Sequence, residues 1–76
     1  MNPRIKAIKS INGFQLTLEF SNGATRTFDA SPYLNHGVFT RLKDPVLFSQ
    51  ARVNYGTVTW PNELDISPDT IWLESR

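Results

Sequence analysis

Hydrophobic and polar residues alternate most regularly between Phe14 and Phe20. Phe14, Leu16, Leu18 and Phe20 fall on one side, and Gln15, Thr17 and Glu19 on the other. A period of two predicts a half-buried strand. Upstream, residues 4–11 (RIKAIKSI) alternate less regularly. Ile5, Ala7 and Ile11 share one face and Arg4, Lys6 and Ser10 the other, while Ile8 and Lys9 break the pattern. The break predicts a β-bulge or a twisted edge strand. Asn12-Gly13 between the two segments is a hairpin signal, expected as a type I′ turn with positive φ at both centres. Asn22-Gly23 predicts a second hairpin into ATRTF. A two-residue loop there sets Glu19 opposite Arg26. A three-residue loop sets Leu16 opposite Phe28 and turns Arg26 toward the apolar face. The first is expected, because an unpartnered arginine on an apolar face costs more than the aromatic pair returns. The opening therefore reads as a three-stranded meander.

The pattern then changes period. Phe39, Leu42, Val46, Leu47 and Phe48 recur every three or four residues, which is helical spacing. Ser31-Pro32, Asp44-Pro45 and Ser67-Pro68 each look like a capping residue followed by proline at the first helical position. Two short turns are expected between Asp29 and Phe48, laying Phe39, Leu42, Leu47 and Phe48 across the open face of the sheet. Alternation resumes from Ala51 to Trp60. A turn centred on Tyr55-Gly56 pairs Val53 with Val58 and Ala51 with Trp60 on one face, and Arg52 with Thr59 on the other. Trp60-Pro61 ends that hairpin. Leu64 to Ile66 reads as a short extended piece, and a last helix runs from Pro68 to about Ser75 with Ile71 and Trp72 inward. The fold class is α+β: an antiparallel sheet, made of an N-terminal meander and a C-terminal hairpin, covered by short helical turns and a C-terminal helix.

Composition narrows the function. Seventy-six residues are read as a single domain spanning 1–76, which buries about 60% of its unfolded surface. There is no cysteine, so a disulfide, a thiolate nucleophile and a cysteine-based zinc site are excluded. The N-terminus has no apolar signal segment and no apolar run reaches membrane length, so a cytoplasmic protein is expected. The net charge is +1 but is uneven. Arg4, Lys6, Lys9 and Arg26 stand against Glu19 alone in residues 1–28, whereas the rest of the chain carries more acid than base. Two faces of opposite sign are expected.

Three stretches together carry a family resemblance. They are FSNG-x-x-R-x-FDASPYL (20–34), G-VF-x-x-L-x-DP-x-x-F (37–48) and V-x-x-G-T-V-x-WPNELDISPDTIW (53–72). The chain resembles the family of small prokaryotic domains of unknown function numbered 2442. The resemblance implies a compact α+β domain of about this size. It carries no activity or catalytic residue across, and it implies a second small protein as partner, as in toxin–antitoxin-like pairs.

No constellation for catalysis stands out. His36 is the only histidine and lies in an Asn-His-Gly turn without a nucleophile near it in sequence. Glu63, Asp65 and Asp69 are hard-cation ligand types but lack any calcium-loop spacing. No catalytic, cofactor-binding or metal residue is assigned, no cofactor is expected, and the protein is read as a non-enzyme. The candidate interaction surface is Lys6, Arg26, Arg52 and Tyr55, a basic sheet face with an aromatic at a hairpin tip. A protein partner is expected to use it. The alternative is a nucleic-acid-associated regulator that uses the same basic residues for phosphate contacts and stacking.

Overall fold

The computed structural model describes residues 2–76. It contains two three-stranded antiparallel sheets. The first joins β1 (Ile5–Asn12), β2 (Gln15–Phe20) and β3 (Thr25–Asp29); the second joins β4 (Arg52–Asn54), β5 (Thr57–Trp60) and β6 (Leu64–Asp65). Between them lie 3-10 turns over Ser31–Tyr33 and Gly37–Lys43, then the short helix α1 (Pro45–Phe48). Helix α2 (Pro68–Glu74) follows β6.

The core is the apolar face of β2 closed from the other side. Leu16, Leu18 and Phe20 are fully buried against Phe28, Leu42, Phe48, Val58 and Ile71. Phe14 packs edge-on against Phe48, with ring centroids 5.2 Å apart. The Gly37–Lys43 turn and α1 do what their spacing predicted: Leu42 and Phe48 are buried, Phe39 and Leu47 are partly so, and Val46 faces out. Trp60 belongs to this core, and its indole N–H donates to the Phe48 carbonyl at 2.9 Å. That bond satisfies the one polar group a buried indole brings.

Strand β1 contains two register shifts against β2, one between Ile5 and Ala7 and one between Ile8 and Ser10. Each inserts a residue and rotates the strand, so inward positions recur every three residues. Ile5, Ile8 and Ile11 stand opposite Phe20, Leu18 and Leu16. Ala7 instead stands opposite Glu19, off the core face that simple alternation assigns to it. The turn after β1 also differs from expectation. Its two central residues are Gly13 and Phe14, and only Gly13 has positive φ (60°), as in a type II′ turn.

The β2–β3 register is the principal correction. Leu16 pairs with Phe28, Leu18 with Arg26 and Glu19 with Thr25, through a three-residue loop whose Gly23 has φ 88°. Arg26 therefore stands on the core side, and it has a partner there. Its guanidinium lies 3.5 Å from the centroid of the Trp72 ring, and Nη1 donates to the Trp72 carbonyl at 3.2 Å. That carbonyl is in the last turn of α2, where backbone acceptors lack intrahelical donors and positive charge is favoured. The assumed cost of an unpartnered arginine does not arise.

The capping residues divide. Asp44 caps α1 as its position predicts, accepting from the Val46 N–H at 3.0 Å. Ser31 is itself inside its turn, and Asp29 does the work instead by accepting from the Ser31 N–H at 2.9 Å. Ser67 precedes α2 but its hydroxyl makes no capping bond.

The C-terminal hairpin gains a third strand. Pro61 to Glu63 form a tight loop with Asn62 and Glu63 at φ 68° and 62°, which returns Leu64 and Asp65 alongside Trp60 and Thr59. Among the described residues no helix is long and apolar enough to cross a membrane.

Candidate functional site

The β4–β5 hairpin has the register its pattern predicts, with Val53 opposite Val58 and Arg52 opposite Thr59. Tyr55 and Gly56 form its tip and both have positive φ, 56° and 75°, as a type I′ turn requires. The tip is fixed to the first sheet. The Ile5 N–H donates to the Gly56 carbonyl at 2.9 Å, and the Arg4 side chain lies flat on Gly56, so close that a β-carbon there would sit 2.9 Å from Arg4 Cδ. Glycine is required at that place for space as well as for φ. Tyr55 has no such reason to be where it is. It is 94% exposed, in a backbone conformation that L-residues other than Asn, Asp and Gly adopt at a cost of about 1–2 kcal/mol.

With Val53 and Val58 turned inward, the outer face of the second sheet reads Arg52, Thr59 and Asp65 across its three strands. Asn54 donates to Thr59 Oγ1 at 2.8 Å, and Thr59 Oγ1 donates to the Arg52 carbonyl at 3.4 Å. This small network holds the face flat and polar. A shallow cleft of about 480 Å³ runs over it from Tyr55 to Pro61, Asn62 and Glu63. A second, of about 280 Å³, adjoins it at Gln50 and Arg52. One cation, Arg52, thus shares the face with two carboxylates, Glu63 and Asp65, and none of the three is in an ion pair among the described residues. A surface of mixed sign fits a folded protein better than a run of phosphates.

The four residues singled out in the sequence do not share one face. Tyr55 borders the larger of these two adjoining clefts and Arg52 the smaller. Lys6 lies on the first sheet, where its ammonium and that of Lys9 stand 3.8 and 3.6 Å from the Glu19 carboxylate. Arg26 is on the core side of the first sheet, over Trp72. The expected continuous basic face is therefore divided three ways, with two of its lysines answered by one glutamate. Asn54 and Thr59 were within reach of sequence reasoning, since the alternation around Val53 and Val58 turns them outward. Asp65 was not, because its place depends on β6 folding back. Among the described residues no three His, Asp or Glu side chains gather as metal ligands would.

Two groups elsewhere titrate away from their usual range. The Tyr33 hydroxyl donates to Glu74 Oε2 at 2.5 Å, and burial together with that carboxylate pushes the phenol up to about 12. Asp29 is held below the ordinary carboxyl range, chiefly by hydrogen bonds from Ser31 and less by the charge of Arg76.

The family model described as "Protein of unknown function (DUF2442)" matches residues 5–76. No curated protein and no solved structure is significantly similar to the chain.

Proposed function

The chain belongs to the DUF2442 family, and we propose that it works as a non-enzymatic module that binds another protein through the outer face of its second sheet. Tyr55 is the anchor, Arg52 and Asp65 are flanking charges, and Asn54 and Thr59 are hydrogen-bonding groups. The partner presents an apolar pocket for the phenol ring and charges of both signs beside it. The partner in this reading is a second small protein, paired with this one as in toxin–antitoxin-like systems.

One observation carries the reading. Tyr55 is 94% exposed and held at φ 56°, so folding gains nothing from a tyrosine there and bears a strain that asparagine would relieve. An aromatic kept at a conformational cost on an exposed tip is characteristic of a binding anchor, and Tyr and Arg dominate the energetics of protein interfaces.

The test is capture from a lysate with the wild-type chain and with Tyr55→Asn, side by side. Tyr55→Asn stabilises the fold by about 1 kcal/mol, since asparagine tolerates the left-handed conformation. It also weakens the partner's affinity about 30-fold, the loss of an anchor worth about 2 kcal/mol. A stoichiometric protein held by the wild type and lost from Tyr55→Asn supports the module. Equal retention by both chains removes Tyr55 from the interface. Capture of nucleic acid that elutes as salt is raised would overturn the protein reading in favour of phosphate contacts.

A further inference from the structure

A cleft of about 590 Å³ lies away from Tyr55, at the outer edge of β3. Its walls include Gln15, Thr27, Asp29, Pro32, Leu73 and Glu74. Arg76 already lies in it, paired with Thr27. The Thr27 N–H donates to the Arg76 carbonyl at 2.8 Å, and the Arg76 N–H donates to the Thr27 carbonyl at 2.9 Å. Such a double exchange defines an antiparallel pair. By the two-residue alternation of a strand, Thr25 and Asp29 turn their own N–H and C=O groups to the same side as Thr27. No backbone group among the described residues bonds them there. The pairing thus begins at one residue and has open positions on both sides of it.

Charge and surface indicate the occupant. The Asp29 and Glu74 carboxylates line the cleft, and neither has an ion-pair partner within 4.0 Å among the described residues. The side chain now opposite Thr27 is an arginine, whose charge acts favourably on Asp29. Leu73 stands 70% exposed on the rim, an apolar contact for a neighbouring side chain. A second copy of this chain fits poorly: in an antiparallel pair of two β3 edges centred on Thr27, Asp29 stands opposite Thr25 of the other copy, which offers the carboxylate no cation.

We propose that the outer edge of β3 takes up an extended, basic segment of a partner protein as an added antiparallel strand, in the place that Arg76 now holds. Backbone bonds to Thr25 and Thr27 supply the attachment, and Asp29 with Glu74 selects an Arg or Lys at the position opposite Thr27. The inference stands on a different surface from the Tyr55 face and does not depend on it.

The experiment follows the amide signals of the full chain while the pentapeptide TVRVT, or its counterpart TVEVT, is titrated in. Saturable shifts and slowed exchange at Thr25 and Thr27 are expected with TVRVT. TVEVT should bind about tenfold more weakly, since one attractive surface charge contact becomes a repulsive one. Thr25→Pro removes an outward donor without touching the β2 ladder and abolishes the response, with circular dichroism confirming the fold. Arg76→Gly, which withdraws the competing side chain, strengthens TVRVT binding. Equal binding of both peptides, shifts confined to other residues, or a response that survives Thr25→Pro would overturn the proposal. So would protection of Thr25 that needs no peptide and rises with protein concentration, which would assign the edge to a second copy.

Discussion

Replacing Arg26 tests the register of the first sheet. In the observed pairing Arg26 stacks on Trp72 and donates to that residue's carbonyl. Both side chains are half-buried, so the ring contact is worth about 1–2 kcal/mol. The hydrogen bond adds about 1 kcal/mol, with solvent screening holding it at the low end for a charged donor. Arg26→Ala should therefore cost about 2–3 kcal/mol, part of it lost packing of the side-chain stem. Against a total on the order of 4–11 kcal/mol for a chain of this length, that loss is large. It corresponds to a melting temperature lower by about 8 °C or more. Urea denaturation of Arg26→Ala, Trp72→Leu and the double variant isolates the ring contact, because Trp72→Leu leaves the backbone carbonyl in place. The expected coupling is about 1 kcal/mol. A parallel cycle of Arg26→Ala with Glu19→Gln should show none, since Glu19 stands opposite Thr25 and its carboxylate answers Lys6 and Lys9. Coupling to Glu19 with none to Trp72 would refute the register and restore the two-residue loop.

The remaining expectations concern the core, the caps and one phenol. Trp60→Ala should destabilise by about 3–5 kcal/mol, because it leaves a cavity and removes the indole's bond to the Phe48 carbonyl; a loss under about 1 kcal/mol by chemical denaturation would contradict its burial. Asp44→Ala should cost about 0.5–2 kcal/mol and Ser67→Ala almost nothing, because only Asp44 makes a side-chain cap; the reverse order would show that the two caps are misassigned. Spectrophotometric titration should find a phenol ionising late, at about 12, and Tyr33→Phe should remove that step. The folded value lies above the unfolded one, so the contribution of the neutral Tyr33 phenol is whole below about pH 10 and is lost as pH rises toward 12. If the late step survives in Tyr33→Phe, its assignment is wrong.

Local chemistry was legible in the sequence wherever a period or a backbone angle decided the outcome. The alternation of Leu16, Leu18 and Phe20 marked the central strand. The Tyr55-Gly56 pair, with Val53 and Val58 beside it, set a hairpin whose register was right to the residue. Asp44-Pro45 marked a real cap. Half of the candidate surface, Arg52 and Tyr55, followed from that same hairpin. Only the tertiary structure decided the rest, because each remaining choice turned on a partner remote in the chain. Arg26 can face inward only because Trp72, 46 residues away, brings a ring and a carbonyl acceptor to it. Two bulges reassign the faces of β1, and a bulge depends on what the opposite strand offers rather than on the strand's own pattern. Asp29 took the capping role expected of Ser31, and Ser67 left its own unfilled, since a cap depends on where a side chain can reach. Arg76 pairs with Thr27 only because α2 carries the chain back to the edge of β3. Side-chain period and allowed φ are properties of a few neighbouring residues, whereas register, partnership and edge are properties of the assembled chain.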